Sequence, residues 1–304
     1  MNLLILSESG EIKRLPDQFQ VSARIYDEAK QLGLNVVIES FLNLECNFDD
    51  KLLIDIKGKN LKEFDIVIIR EASHLKYQKS ILGLVANYLS NSQTYLLNST
   101  SIIKYPNNYN KIIQYTQFLK NNIPIPKSFF SMNLDNTFKF FNENYLIKPS
   151  KGSLGTGIYL INELQTQMDT FKQTHITDEY IVQKRINNNH DLRIIVIGDK
   201  AYGAMKKTMS NGSIVSNFAA VGLISHVKLT DKISELALKA VKAVNLEYGG
   251  VDIMLDKETN KPFILEVNRN AFFEGFEKST KINVAKELLK YLIEKAEKLK
   301  ASIE

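Results

Sequence analysis

Cysteine is almost missing from the sequence. Cys46 stands alone among 304 residues, so no internal disulfide can form, and a reducing, cytoplasmic compartment is expected. No apolar run reaches the ~18 residues that a membrane span needs, which argues against a membrane partner. The opening MNLLILSESG carries neither a basic stretch nor a small-residue cleavage site, so it reads as a strand and not as a signal peptide. Internal repeats and low-complexity tracts are absent. Charge of one sign is also scarce: 39 Lys and Arg against 34 Asp and Glu leave +5. That excess favours anionic ligands weakly and is too small and scattered for nucleic acid. The four histidines have no metal-ligand spacing, and Cys46 has no neighbouring base and reads as a small loop residue.

What remains is an ordinary globular composition, 44% hydrophobic and 24% charged, with a length suited to about two domains. The first 95 residues alternate strand and helix. NLLILS (2–7), NVVIES (35–40) and DIVIIRE (65–71) are buried-strand runs, and ARIYDEAKQLG (23–33) has helical spacing that stops at Gly33. LLIDIKGKNL (52–61) turns at Gly58. This rhythm predicts a parallel sheet with helices on its faces. YLLN (95–98) reads as another strand, and NKIIQYTQFLKNN (110–122) is a helix closed by IPIP (123–126), because proline cannot continue it. From about residue 127 the pattern turns antiparallel. YLIKP (145–149), a glycine-rich loop and IYLI (158–161) are followed by a helix near 163–175 and by YIVQKRI (180–186). DLRIIVIGDKAYGAMKK (191–207) is a hairpin turning at Gly198-Asp199. An amphipathic helix (233–246), the strands GGVDIML (249–255) and PFILEVN (262–268), and a final helix (283–300) complete the chain.

Two constellations carry chemistry. SKGSLGTG (150–157) holds three glycines in eight residues. Such a loop either cradles a phosphate through its backbone N–H groups or is simply a flexible hairpin tip. Lys148 lies on the strand before it, where an ammonium reaches a phosphate. The spacing matches neither a P-loop nor a Rossmann fingerprint. In the second constellation, Asp252 interrupts one apolar strand, while Glu266 and Asn268 lie at i, i+2 on the next and share a face. Two carboxylates and an amide oxygen are hard ligands suited to Mg²⁺, with Mn²⁺ as a substitute. The competing reading makes them polar strand ends that cap turns. Arg193 interrupts an apolar strand and faces either a site or an ion-pair partner. Alternation puts Lys206 and Lys207 on opposite faces of their strand, so one of the two is a solvated charge. Asn217 is either a ligand contact or a turn residue. Ser7 and Ser9 line a crevice or cap a helix. Arg70 ends a strand where open α/β sheets bind ligands, and clamps a substrate carboxylate if it does not simply face solvent.

Taken in order, Lys111 in NKIIQYTQ, IPIP, Lys148, GSLGTG, VQKRI, DLRIIVIG, DIML and LEVN resemble the ATP-grasp ligases, and among them the RimK-type ribosomal-protein glutamate ligase group. MNLLILSESG, IKGKNLKEFDIVIIRE and EVNRNAFFEGFEKSTKINVAKELL extend the likeness over nearly the whole chain. The resemblance implies a Rossmann-like domain over residues 1–95, a central ATP-grasp subdomain with a glycine-rich lid over 96–183, and a C-terminal subdomain with the metal site over 184–304. It implies an ATP- and Mg²⁺-dependent ligase. A carboxylate takes the γ-phosphoryl group of ATP, and an amine, expected from an amino acid, displaces phosphate to leave an amide. The acceptor carboxylate is expected on a small molecule, a glycan or a peptide. Neither step needs a protein nucleophile, in keeping with the lack of a Ser-His-Asp or Cys-His set.

By position, Lys111, Lys148, Ser153 and Gly155 are expected at the nucleotide. Gln183, Lys184, Arg185 and Ile186 are expected beside adenine, Asp191 near the ribose, and Ser216 and Asn217 near phosphate. Asp252, Glu266 and Asn268 are the expected metal ligands, Arg193 and Lys206 the expected catalytic cations, and Arg70 and Arg269 the expected substrate contacts. Homo-oligomers are common in the group. Several positions depart from its pattern. Lys184 replaces the usual Glu after the hinge glutamine, and Val215 replaces an Arg before Ser216. Ala219 and Ala220 replace basic residues, and Arg269, Asn270, Ala271 and Phe272 replace a small, Pro-containing run. The nucleotide and metal halves keep the pattern, and the acceptor side does not. Two other readings stay open: a nucleotide-binding regulator that performs no ligation, and a glutamate ligase that modifies a protein or peptide.

Overall fold

A computed structural model of the chain describes residues 1–7, 21–70, 78–104, 110–137, 139, 144–151, 157–164, 167–174, 179–209 and 221–302. The strand Asn2–Ser7 is flanked by Asn35–Ser40 and Ile66–Arg70, both parallel to it, and Tyr95–Leu96 extends the sheet beyond Ile66–Arg70. Side-chain alternation sends Leu3, Ile5, Ile66 and Ile68 to one face and Leu4, Leu6, Val67 and Ile69 to the other. Helices cover both faces, which is why these strands read as unbroken apolar runs. The first face meets the helix Val21–Gln31 and the last helix of the chain, Val284–Ala301; the second meets Gln78–Leu89.

Between the second and third parallel strands lies a small antiparallel sheet of Leu44–Phe48, Leu52–Ile56 and Lys59–Asn60. Its tight turn holds Lys57 and Gly58 at φ +49° and +75°, the left-handed pair that a two-residue hairpin requires. Cys46 sits on its first strand opposite Ile54, so it is a strand residue and not the loop residue expected.

Two more antiparallel sheets follow. Tyr145–Pro149 pairs with Tyr159–Leu160 on one side and Tyr180–Lys184 on the other, and Ser128–Phe130 forms the far edge. The largest sheet runs Val221–Val227, Lys200–Met209, His190–Ile197, Tyr248–Leu255, Pro262–Asn268. The helix Asp231–Ala243 lays Ile233, Ala237, Ala240 and Val241 on one face, against Ile194, Val196, Val251, Ile253 and Ile264. The opposite face is apolar at one end, where Ile195, Ile197 and Met205 join Phe273 and Phe276. At its other end it is charged.

The first and largest sheets are bolted together at Asn98, whose φ is +62°. Its side chain accepts from the N–H groups of Glu247 (2.7 Å) and Tyr248 (3.0 Å) and donates to the Tyr248 carbonyl (3.1 Å). The Glu247 carboxylate accepts in return from the Asn98 N–H at 3.0 Å. The strand carrying Asp252 thus has a fixed position relative to the strand ending at Arg70. Among the described residues no helix is long and apolar enough to cross a membrane.

Candidate active site

The charged end of the largest sheet gathers residues from four strands. Register places Asp191 opposite Lys207, Arg193 opposite Asp252 and Asp252 opposite Glu266. All of them project from the face not covered by the helix. Arg193 holds Asp252 with two hydrogen bonds, Nε to Oδ1 at 2.6 Å and a terminal nitrogen to Oδ2 at 2.8 Å. Lys207 lies between two carboxylates, 3.1 Å from Asp191 and 3.2 Å from Asp252. Burial alone would raise the Asp252 pKa, but Arg193 and Lys207 outweigh it and hold the carboxyl at about 2. Gly250 lies under Arg193. A Cβ there would meet the Ala271 Cβ at 2.6 Å and the Arg193 Cδ at 3.1 Å, so any side chain at this position would displace Ala271 and press on the Arg193 stem.

Glu266 reaches this face because of a register shift between Asp252 and Ile253: Asp252 faces Glu266, while Ile253 faces Ile264. Leu265 is the extra residue of that β-bulge. Without it, Ile264 and Glu266 would point to the same side. The Glu266 carboxylate accepts from Asn268 at 3.0 Å and pairs with Lys111 at 3.2 Å. The Asn268 amide also lies 3.3 Å from Asp252. Burial would raise the Glu266 pKa too, yet its balance is downward, with Lys111 the main cause.

Asp252, Glu266 and Asn268 therefore converge on one small space, as the spacing predicts. Two ionised carboxylates and an amide that can present its oxygen make a hard donor set, and a divalent cation that also takes phosphate oxygens fits it.

Across the cleft, Lys148 is buried on the neighbouring antiparallel sheet. Its ammonium donates to the Tyr115 hydroxyl at 3.0 Å and to the Gln183 amide oxygen at 2.8 Å. Burial lowers its pKa to about 8, against a smaller raising influence from Glu266. Gln183 is held by its own amide nitrogen, which donates to Tyr115 (2.8 Å) and Ser128 (3.0 Å). Its side chain thus orients Lys148, and the resemblance alone did not suggest that use. Lys184 is exposed, with Arg185 and Ile186 half-buried beside it. The N–H groups of Lys184 and Arg185 are taken by the carbonyls of Lys127 (2.8 Å) and Asn144 (2.9 Å).

One placement is corrected. Lys206 does not reach the charged cluster: it lies opposite Leu192 on the other face of its strand, and Lys207 is the cation that enters the site. Ser153, Gly155, Ser216 and Asn217 lie outside the described residues, as do Ser9 and Val215. Arg70 and Arg269, both buried, line one pocket together with Asn98, Asn270 and Tyr248. Arg70 donates to the Asn270 carbonyl at 3.3 Å. The sequence reading missed Gln114 and Tyr115. Both lie on the Lys111–Lys120 helix at i+3 and i+4 from Lys111, and that spacing was the only available signal.

Comparison with known proteins places the chain in a family. Residues 108–292 match the family model described as the RimK-like ATP-grasp domain. A probable alpha-L-glutamate ligase of Legionella pneumophila is 27% identical over 255 residues, covering 81% of each chain. A glutamate–LysW ligase, ArgX, of Sulfurisphaera tokodaii is 27% identical over 253 residues, covering 78% of this chain and 84% of its own. In three dimensions the chain is similar to the ATP-grasp ligase PsnB, solved with a phosphomimetic variant of its minimal precursor, Mg and ADP. The TM-score is 0.72 at 18% identity, over 96% of this chain and 98% of that one. The match over 108–292 covers more than half of the sequence and spans every residue of the charged cluster. The chain belongs to the RimK-like ATP-grasp family and is an ATP-dependent, ADP-forming carboxylate–amine ligase.

Proposed function

We propose that this ligase joins the amine of an amino acid to a carboxylate carried on a peptide or small metabolite, through an acylphosphate. One observation carries the reading: Lys111, Lys148, Arg193 and Lys207 surround Asp191, Asp252 and Glu266 in one cluster, four of the seven buried and Arg193, Lys207 and Glu266 half-buried. Among the described residues of that cluster, cations outnumber carboxylates. A buried excess of positive charge is costly unless an anion joins it, and a triphosphate is that anion.

Asp252, Glu266 and Asn268 would hold Mg²⁺, which when bound supplies charge neutralisation at the phosphate oxygens. Lys148 would hold a phosphate. Arg193 and Lys207, already fixed by Asp191 and Asp252, would face the charge that develops as the acceptor oxygen bonds to the γ-phosphorus and the bond to ADP breaks. The amine nitrogen then bonds to the acyl carbon, phosphate leaves, and the amine's surplus proton departs to phosphate or water. Because no protein atom is consumed, the chain's part is alignment and electrostatic stabilisation.

The pocket shared by Arg70 and Arg269 lies at the carboxyl end of the parallel sheet and next to Asn268. The pocket has room for about one water molecule, so its two guanidinium groups would pair with a substrate carboxylate after their side chains swing outward. The names of two relatives support a peptide or protein acceptor: one is a ligase of glutamate to LysW, the other was solved with a precursor peptide.

A direct test supplies ATP, Mg²⁺ and a panel of glutamyl peptides and dicarboxylates, with hydroxylamine standing in for the amine. ADP and a hydroxamate should appear together, and only when a carboxylate is present. ATP binding with no ADP for any carboxylate–amine pair would contradict the reading and leave a nucleotide-binding regulator in its place.

A further inference from the structure

The Lys111–Lys120 helix tracks the bulged strand residue by residue. Lys111 pairs with Glu266 at 3.2 Å. Gln114 acts as a substitute for a missing sixth strand: its amide nitrogen donates to the Val267 carbonyl (2.8 Å) and its oxygen accepts from the Val267 N–H (2.9 Å). Tyr115 donates to the Leu265 carbonyl at 3.0 Å, at the extra residue of the bulge. Gln114 and Tyr115 thus hold the backbone on either side of Glu266, and Lys111 holds its carboxylate.

Tyr115 does something further. A phenol hydroxyl donates once and accepts twice. Its donation goes to Leu265, and its two acceptances come from Lys148 (3.0 Å) and Gln183 (2.8 Å). Every capacity of the group is used, and the oxygen is the point at which the sheet carrying Lys148 meets the sheet carrying Glu266. The hydroxyl is buried, so water does not substitute readily for any of the three bonds. Lys148 has two of its three N–H groups committed, to Tyr115 and Gln183. Both acceptors are neutral, so they fix the direction of the ammonium without cancelling its charge.

We propose that Tyr115 is a positioning residue for ligation: its hydroxyl aims the Lys148 ammonium and, through the same oxygen, locks the Leu265 bulge that presents Glu266, so that the two halves of the site are set together. This rests on the reading that Lys148 serves the nucleotide, and the test separates the two claims.

Affinity for a non-hydrolysable ATP analogue, measured without Mg²⁺ so that only the Lys148 side is read, is compared by calorimetry for wild type, Tyr115→Phe, Lys148→Met and the double variant. Phe keeps the ring and its packing, and thermal melts check that each variant is folded. Lys148→Met alone should weaken binding tenfold or more; if it does not, the nucleotide reading of Lys148 fails and the coupling claim fails with it. With Lys148 in place, Tyr115→Phe should weaken binding at least fivefold. In the Lys148→Met background, the same change should cost less than twofold, because its target is gone. Equal costs in both backgrounds, or a cost below threefold in the wild-type background, would overturn the coupling while leaving the nucleotide reading intact. Gln114→Leu provides a control on the strand alone. It should lower kcat through Glu266 with less than a twofold change in analogue affinity measured without Mg²⁺, and an equal loss of that affinity would make the whole clamp merely structural.

Discussion

The two sides of the cleft hold their cations by opposite means. On one side, Arg193 and Lys207 of the largest sheet and Lys111 of the helix beside it each touch a carboxylate, at 2.6 to 3.2 Å. Across from them Lys148 has only neutral hydrogen-bond partners among the described residues, the hydroxyl of Tyr115 and the amide of Gln183. The pKa values follow that division. Asp252 is held down at about 2 by its cations, and Lys148 falls to about 8 because burial is not balanced by an adjacent anion. The paired side is self-sufficient in the folded protein. On the proposed reading, the side with neutral partners would take a ligand that brings its own negative charge.

If that division is correct, substitutions on the two sides should fail differently. Glu266→Gln should lower turnover about 10³-fold, since it removes a charge that a divalent cation would need, with a smaller loss of stability than at Asp252 because one ion pair, with Lys111, is lost and not two. An ADP-release assay on the folded variant checks this. Asp252→Asn should strike stability as well. It leaves Arg193 and Lys207 buried without their shared anion, which costs roughly 3 to 5 kcal/mol and is measurable by urea unfolding. Lys148→Met should do the reverse. ATP affinity drops by about 10- to 100-fold, whereas stability holds or rises by ~1 kcal/mol, because a desolvated charge is exchanged for an apolar chain of similar length.

The pH dependence sharpens the same contrast. The Lys148 pKa in the folded chain, about 8, lies below its ordinary 10.5. Between those values the unfolded chain binds more protons, so stability rises with pH across the window. The advantage is complete above 10.5 and disappears as pH falls through 8. ATP affinity should move the other way, falling as pH climbs past 8. In Lys148→Met both pH responses should be absent, which paired calorimetry and unfolding series would show. The smallest effect is expected for Lys206→Ala. Its side chain lies on the far face, so kcat/KM should stay within about twofold of wild type, whereas Lys207→Ala should lose about 10²-fold.

Much of this was legible in the sequence. The parallel strands announced themselves as short apolar runs because helices cover both of their faces. Asp252, Glu266 and Asn268 stood out because charge interrupts apolar strands there. What stayed hidden depended on register and on long-range packing. Alternation separated Lys206 from Lys207 but could not say which face was the site, since that is decided by pairing with Asp191 on the neighbouring strand. The Leu265 bulge leaves no mark in LEVN, although without it Glu266 would share a face with the core residue Ile264. Tyr115 was not singled out, because a hydroxyl with three distant partners has no local signature. The final helix, Val284–Ala301, looked like the end of the last subdomain, yet its apolar face covers the first sheet.

The central claim is that Asp252, Glu266 and Asn268 hold a divalent cation against a triphosphate that Lys148 grips from the other side. A crystal structure with a non-hydrolysable ATP analogue and Mg²⁺ tests it most directly. The account predicts metal density within bonding distance of oxygen atoms from those three side chains, with the Lys148 ammonium on a phosphate oxygen. A nucleotide bound elsewhere, with Asp252 still closed on Arg193 and no cation between the carboxylates, would contradict it.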